Sequence, residues 1–234
     1  MIGSRGSLVH ARARLGLGLI AALATLTASA AGAPAKLAWQ EHFDKPALDW
    51  VDPLAHNADE IARVYSVRHD GALAFLHARH DRASTSTPPA LHYGKAFQKA
   101  PIPLDKVRAL RWRWRALQHP NVTTDPWIDL AAGVYVLIRK PGVFASGRGF
   151  KFGWLALPGK PGQHQRGLLE VPLRTEAATR EWKSESVDLC ALYKQEYGGS
   201  CAGETIQYIG VVTDADNTRS IAEGDYADFE LELN

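Results

Sequence analysis

Oxygen-bearing side chains lie close together in a short stretch near the C-terminal end of the sequence, TDADNT at 213–218. Asp214, Asp216 and Asn217 present carboxylate and amide oxygens, the ligands that Ca²⁺ prefers, and Ca²⁺ takes about six to eight of them. The stretch is not a complete EF-hand loop, because the glycine and the distal glutamate of such a loop are missing. Asp and Asn also hydrogen-bond to their own backbone in Asx turns. A turn, a calcium site and a direct contact to a ligand therefore stay open for these residues.

Guanidinium groups alternate with large aromatic rings in the stretch LRWRWRA, which contains Arg111, Trp112, Arg113, Trp114 and Arg115. On a β-strand alternate side chains point to opposite faces, so the tryptophans share one face and the arginines the other. Removing apolar surface from water stabilises a fold by roughly 25 cal/mol per Å², so two buried indole rings contribute substantially. The tryptophan face is therefore predicted to be core, and the arginine face is left for another role.

The arginine face has two interpretations. In the last predicted strand Asp228, Glu230 and Glu232 share one face, and this acidic row could pair with the arginines if the two strands are neighbours. Such cross-strand pairs contribute roughly a few tenths of a kcal/mol each. Alternatively, the arginines line the concave face of a sandwich, where a guanidinium fork binds acidic or hydroxylated groups of a ligand.

The predicted strand IDLAAGVYVLI favours the interpretation as a concave face. One face of this strand is aliphatic, whereas the other carries Asp129, Gly133 and Tyr135, and small residues there leave room for a ligand. The stretch TDADNT is expected at the rim of the same face. We therefore predict a ligand-binding site that contains four residues: Arg111, Arg113, Tyr135 and Asp129.

Motifs of common catalytic sites are missing from the sequence. It contains no His-Glu-x-x-His, no Gly-x-Ser-x-Gly, no phosphate-binding loop and no dinucleotide fingerprint. His77 and His80 fall on opposite faces of a predicted strand, so a regular strand cannot present both to one metal. A glycosidase needs two carboxylates about 5 to 9 Å apart. The sequence alone does not assemble such a pair from the candidates, which are Asp129, Asp214, Asp216, Asp228 and Glu230. Binding is therefore preferred over catalysis, with a glycoside hydrolase or polysaccharide lyase on the same scaffold as the alternative.

Short runs with period-two alternation, or rich in β-branched and aromatic residues, recur along the chain between glycine, proline, Asp and Asn. Many strands and little helix predict an all-β fold, an antiparallel two-sheet jelly-roll sandwich with one short helix. The predicted strands lie near residues 39–43, 64–68, 72–79, 90–97, 107–117, 128–139, 150–157, 167–173, 205–213 and 225–233.

The one predicted helix covers residues 188–199, where Asp188 can cap the start and Gly198 can supply a left-handed stop. Cys190 lies in its first turn and Cys201 just beyond its end. In an exported protein two such cysteines predict a disulfide that joins the helix to the following loop, and two buried free thiols are the alternative.

Residues 1–30 have the features of a secretory signal peptide. Arg5, Arg12 and Arg14 precede the apolar run LGLGLIAALATL and a stretch of small residues. No later run is apolar and long enough to span a bilayer, and no second domain boundary is evident. We therefore expect residues 31–234 to form a single domain that is periplasmic or secreted, without membrane insertion.

The charge of the expected mature chain argues against a polyanionic partner. The leader takes three of the 27 basic residues and none of the 25 acidic ones, which leaves a formal net charge of about −1. A chain this close to neutrality has no overall attraction for nucleic acid or for anionic lipid. Nucleic acid is therefore not expected as a partner, and any anion site must be a local one.

Several motifs resemble one family when they are taken in order along the chain. They are YSVRHDGALAFLHARHDRAS, LRWRWRA, DLAAGVYVLI, KFGWLAL, EWKSESVDLCALYKQEYGG and YIGVVTDADNTRSIAEGDYADFEL, within residues 60–233. The chain thereby resembles an uncharacterised family of exported bacterial proteins known as domain of unknown function three thousand and forty-seven. It departs from that family's pattern at Asp129, which stands where two acids are usual, and at Gly133, which replaces an arginine. The resemblance implies a jelly-roll sandwich similar to carbohydrate-binding modules, with no established activity.

These observations together lead to one expectation for function. The protein is expected to be an exported, non-catalytic binding protein for a glycan or similar polar ligand on the concave face of a sheet. No cofactor is expected other than Ca²⁺, which would bind at Asp214, Asp216 and Asn217.

Overall fold

Strands dominate the part of the chain that the computed structural model describes, namely residues 36–53, 56–83, 89, 91–139, 147–159, 163–165 and 167–234. All of these residues belong to one unit, Ala35–Asn234. The predicted signal peptide, residues 1–30, lies outside the described residues. The fold is therefore described from Lys36 onward.

Two sheets of six strands each make up most of the fold, and β5 and β12 pair separately. In chain order the strands are β1 (Leu37–Glu41), β2 (Tyr65–Asp70), β3 (Leu73–Asp81), β4 (Tyr93–Ala96), β5 (Ile102–Pro103), β6 (Val107–Gln118), β7 (Leu130–Arg139), β8 (Arg148–Trp154), β9 (Gln163–Gln165), β10 (Leu168–Arg174), β11 (Lys183–Val187), β12 (Thr205–Ile206), β13 (Tyr208–Asp214) and β14 (Ile221–Leu233).

The first sheet is organised around β14. Its order is β11-β6-β14-β3-β2, and β1 also pairs with β14. The antiparallel pair of β14 with β6 shifts register between Ala227 and Glu230, where Asp228 adopts a φ of 49°. Such a bulge bends a strand and changes which residues face each other across the pair. The other edge of β14 is shared, because β3 pairs with its first half and β1 with its second half.

The core lies between the first sheet and the second sheet, whose order is β4-β13-β7-β8-β10-β9. Trp112 of β6 contacts Phe152 of β8 with ring centroids 5.6 Å apart, and Trp114 contacts Trp154 at 5.8 Å. All four rings are buried. The two sheets therefore pack as a sandwich, and the prediction that the tryptophan face of LRWRWRA is core is confirmed.

The prediction of a mainly β sandwich is confirmed, and each predicted strand overlaps an observed one, whereas β5, β9 and β11 were not predicted. Two details of the predicted fold class were wrong. β8 and β10 pair in parallel, not antiparallel. β9 lies between them in the chain and pairs antiparallel with β10, so β10 runs in the same direction as β8. In addition, α1 (Ala58–Val64) is a second helix, which begins with a capping box between Asn57 and Glu60.

The predicted helix near the cysteines is confirmed as α2 (Leu189–Tyr197). The Asp188 side chain accepts a hydrogen bond from the backbone N–H of Ala191, and Gly198 ends the helix with a φ of 72°. The predicted disulfide between Cys190 and Cys201 is also present. Among the described residues, neither α1 nor α2 is long and apolar enough to cross a membrane.

The disulfide is expected to contribute to stability without organising the fold. The double variant Cys190→Ser, Cys201→Ser should lose about 3 kcal/mol of unfolding free energy, because the unfolded chain regains the freedom of a short loop. Urea denaturation of the variant and the parent measures the difference. Reduction of the parent with dithiothreitol is the matched control, and an unchanged unfolding midpoint in both samples would show that the bond contributes little.

Candidate functional site

The arginine row of β6 lies on the outer face of the first sheet, the face turned away from the core. Arg113 donates a hydrogen bond to Asp228 over 3.1 Å, and Arg111 is 2.9 Å from a carboxylate oxygen of Glu232. Both arginine side chains are still partly exposed, 37% for Arg113 and 47% for Arg111. The pairing of arginines with acids of the last strand, one of the two interpretations from the sequence, is thus present for these residues.

One rung across the outer face joins three strands. His77 of β3 stands opposite Asp225 of β14, and Asp225 stands opposite Arg115 of β6. His77 Nδ1 donates to Asp225 Oδ1 over 2.7 Å, and Arg115 Nε donates to Asp225 Oδ2 over 2.6 Å. His77 and Asp225 are both buried, so neighbouring groups fix their positions. The shared carboxylate therefore orients the imidazole and the guanidinium together.

A polar pocket of about 360 Å³ opens beside this rung. We call it the arginine pocket, and it is lined by Arg68, Phe75, His77, Arg115, Leu117, Arg180, Glu223 and Asp225. Three guanidinium groups and one imidazole thus meet two carboxylates in a small volume. This composition is typical of a site that holds an anionic or strongly polar group.

Two of the pocket's arginines carry an uncompensated charge. Arg68 and Arg180 are exposed residues. Within the described ranges no carboxylate lies in ion-pair distance of either guanidinium, whereas Arg115 is paired with Asp225 and lies 3.5 Å from Asp70. The donors of Arg68 and Arg180 are therefore available to a ligand.

The second ring nitrogen of His77 is the most unusual polar atom of the pocket. His77 Nε2 is buried and makes no hydrogen bond within the part of the chain that the structure describes. It lies 3.6 Å from Glu223 Oε1, which is too long for a good hydrogen bond. A buried polar atom without a hydrogen bond costs stability, which is typical of a position shaped for a ligand.

Aromatic rings hold the Arg115 guanidinium in place. Its carbon lies 4.4 Å from the ring centroid of Trp182 and 5.2 Å from that of Phe75. The two rings pack edge to face at 5.4 Å. Stacking on aromatic faces and the ion pair with Asp225 together make this arginine a rigid part of the pocket.

Tyr135, the third predicted ligand residue, lies on the second sheet. It packs with Trp127 and Val212 outside the main core, whereas Val134 and Val136 beside it face that core. The structure therefore does not bring Tyr135 together with Arg111 and Arg113, which belong to the first sheet.

The open space that the sequence predicts beside Gly133 is occupied by side chains of the protein. A Cβ at Gly133 would stand 2.9 Å from Val212 Cγ1, and a Cβ at the neighbouring Gly153 would stand 2.6 Å from the Trp127 ring. Gly133 and Gly153 allow the side chains on this face to pack closely, since a larger residue at either position would displace those side chains. The inference of an open groove from small residues on β7 was wrong for this reason.

A buried ion pair lies under the same Trp127 ring. Lys151 Nζ is 3.3 Å from Glu170 Oε1 and 5.3 Å from the Trp127 ring centroid, and both charged residues are buried. Burial lowers the pKa of Lys151 from its ordinary value, and the Glu170 carboxylate counteracts only part of this effect. The pair is thus a structural feature of the outer face of the second sheet.

The stretch TDADNT forms a turn that is bonded to Asp129. The buried Asp129 carboxylate accepts hydrogen bonds from the backbone N–H groups of Asn217 and Thr218, over 3.3 and 2.7 Å. Asp214 Oδ1 accepts from the backbone N–H of Asp216, as in an Asx turn. Oxygens of Asp129, Asp214 and Asp216 lie within 4.8 Å of one another, so these carboxylates could hold a metal ion. This group lies just before β7 and at the end of β13, and it does not belong to the arginine pocket.

Sequence reasoning missed Arg68, His77 and Arg180 as members of one site. His77 interrupts a run of apolar residues in a predicted strand, which is a signal that a buried polar group there needs a partner. Arg180 stands outside every predicted element, and nothing in its local sequence distinguishes it from other loop arginines.

The fold and the pocket define a disulfide-bonded β-sandwich protein with an arginine-lined polar pocket on the outer face of one sheet. No protein-family model matches the chain, and no curated protein does so either. The function is therefore inferred from the described residues alone.

The buried ion pair leads to a prediction about stability. Lys151→Met or Glu170→Leu alone should cost about 3 to 5 kcal/mol, because each removes one member of a buried charge pair, whereas the double variant should be nearly neutral or stabilising. Denaturant titration measures all three. Lys183→Met, which removes a partner of the exposed Glu181, is the control and should change stability by less than about 1 kcal/mol. Equal effects of Lys151→Met and Lys183→Met would contradict the buried pair.

Proposed function

We propose that the protein is a non-catalytic binding protein whose arginine pocket takes an anionic group of a polar ligand, such as a carboxylate of an acidic glycan. The observation that carries the proposal is the presence of two uncompensated guanidinium groups, Arg68 and Arg180, at one small polar pocket. Planar guanidinium groups bind carboxylate oxygens with two parallel hydrogen bonds, which combines charge with orientation.

The charged side chains that line the pocket favour an anionic ligand over a neutral sugar. Asp225 is already bonded to His77 and Arg115, and Glu223 lies near His77 and within 3.9 Å of Arg79. The two carboxylates are therefore balanced by groups of the protein. The charge that remains for a ligand is positive and belongs to Arg68 and Arg180.

The same arrangement favours binding over catalysis. A hydrolase of the usual kind uses one carboxyl group as acid and a second as base or nucleophile. Asp225, however, is held by two cationic or hydrogen-bonding partners and is only 1% exposed in its side chain. A glycoside hydrolase or a polysaccharide lyase is the alternative function, and release of sugar products from acidic polysaccharides would favour it.

Three further proposals complete the functional description. The sandwich belongs to the jelly-roll type, as the resemblance to the uncharacterised exported family implies. The chain is periplasmic or secreted, which the disulfide between Cys190 and Cys201 supports, because such bonds persist in oxidising compartments. The glycan would meet the outer face of the first sheet, where the partly exposed Arg111 and Arg113 continue the row beyond the pocket.

Calcium is proposed as an accessory ligand at the TDADNT turn, supported by the short distances between Asp129, Asp214 and Asp216. Titration with Ca²⁺ should raise the melting temperature of the parent protein, because a ligand that binds only the folded state stabilises it. The same titration should leave the Asp214→Asn variant unchanged, because one of the ligands is lost. Mg²⁺ serves as the ionic-strength control, and an unchanged melting temperature of the parent in Ca²⁺ would refute the proposal.

The arginine pocket is tested on a glycan array that contains matched neutral, carboxylated and sulfated sugars. The parent protein should bind acidic sugars selectively, and Arg68→Gln or Arg180→Gln should weaken the binding by roughly tenfold or more, because each removes a charge-assisted contact. Lys99→Gln, which removes an exposed cation outside the pocket, is the matched control and should leave binding unchanged.

Two results would contradict the proposed function. One is equal binding of neutral and acidic sugars, and the other is an equal loss of affinity in Arg68→Gln and Lys99→Gln. Binding of inorganic phosphate with the same dependence on Arg68 and Arg180, without binding of any glycan, would retain the anion site and refute the glycan.

A further inference from the structure

A larger cavity lies apart from the arginine pocket and shares no lining residue with it. It is a cleft of about 650 Å³ between α1, described residues within 46–56 and the edge strand β2. Its volume is within the range of cavities that hold small organic molecules, roughly 300 to 1,000 Å³. The cleft is therefore large enough for a ligand of its own.

The walls of the cleft are mainly apolar. Leu48, Ile61 and Tyr93 contribute to them, together with Val51 and Val67. Over the described ranges only three large apolar side chains are exposed, and two of them are Val51 at 47% and Val67 at 39%. Exposed apolar surface is thus concentrated at this cleft, which is typical of a binding site for an apolar group.

A polar pair stands in the apolar wall. His56 Nδ1 hydrogen-bonds to Asp52 Oδ2, and because the carboxylate can only accept, the nitrogen is the donor. The Asp52 side chain is fully buried, whereas the His56 side chain is 21% exposed. In the neutral imidazole Nε2 is then an acceptor, and it is suited to a hydroxyl group.

A second polar group in the wall lacks a partner. Trp50 lines the cleft, and its indole N–H is buried without an acceptor in the part of the chain that the structure describes. An indole N–H can only donate, so it matches an oxygen of a ligand. Together, Trp50 and His56 offer one donor and one acceptor within an apolar cleft.

We propose that this cleft binds a small ligand that has an apolar body and an uncharged hydroxyl head. The apolar walls account for the body, and a hydroxyl group can donate or accept, which suits the two polar groups that line the cleft, His56 and Trp50. A carboxylate head is disfavoured, because the buried Asp52 carboxyl would stand close to it. This site is independent of the arginine pocket and of the glycan proposed for that pocket.

Three naphthalene derivatives test the proposal, because they share one ring system and differ only in the head group. The probes are 1-naphthol, naphthalene and 1-naphthoate, and their affinities for the full mature chain are measured by fluorescence titration. We expect 1-naphthol to bind at least about fivefold more tightly than naphthalene, because its hydroxyl group makes at least one hydrogen bond in the cleft, and 1-naphthoate to bind most weakly.

Variants assign the binding to the cleft. Val51→Asp places a charge in the apolar wall and should abolish binding of 1-naphthol, and Ile128→Asp makes the same change at the third exposed apolar residue, 40% exposed and outside the cleft. Ile128→Asp should bind like the parent. Trp50→Phe retains a ring but lacks the N–H, and should reduce the preference for 1-naphthol over naphthalene. Circular dichroism verifies that each variant is folded.

The possible outcomes separate this proposal from its rivals. Absence of 1-naphthol binding at millimolar concentration, or an equal loss in Val51→Asp and Ile128→Asp, would overturn it. If the parent is instead a dimer that Val51→Asp converts to a monomer, the cleft is an interface between two copies and the proposal is wrong. Arg68→Gln should leave 1-naphthol binding unchanged, so a failure of the arginine pocket and a failure of this cleft are distinguishable.

Discussion

The burial of Trp112 and Trp114 between the two sheets is the constraint on which the outer face of the first sheet depends. Side chains alternate along a strand, so sealing the indoles inside the sandwich obliges the intervening arginines to point outward. Guanidinium groups placed side by side repel one another unless acids lie between them. The neighbouring strand β14 supplies those acids, and the two longest strands of the fold are therefore matched in charge as well as in shape.

The charges on that face are paired between neighbouring residues, and this pairing determines where the candidate site lies. The buried Glu232 lies 2.9 Å from both Arg108 and Arg111, and Asp228 lies 3.1 Å from Arg113. Each of these three arginines therefore has a carboxylate within ion-pair distance. Arg68 and Arg180, which have none within the described ranges, lie at the arginine pocket defined above. An anionic ligand would be attracted to one end of the row rather than to its whole length.

The two sheets use their outer faces differently. On the second sheet the Trp127 ring covers Gly153 and the Lys151–Glu170 pair, so that face is closed by apolar packing over a buried charge pair. On the first sheet the polar groups surround a pocket instead of being covered. The apolar cleft beside α1 is a third kind of surface, because its walls resemble core but remain open. The two proposed ligand sites, which differ in their chemistry, are consistent with this division.

The sequence by itself determined most of the strands, α2 and the disulfide, because period-two alternation, the caps at Asp188 and Gly198 and the cysteine spacing are local properties. It also assigned the indoles to the core. Only the tertiary structure decided which acids meet which arginines, since the bulge in β14 shifts the register. It likewise assembled His77 with Asp225 and closed the space beside Gly133. These contacts join residues far apart in the chain, and they depend on strand order, which no local pattern encodes.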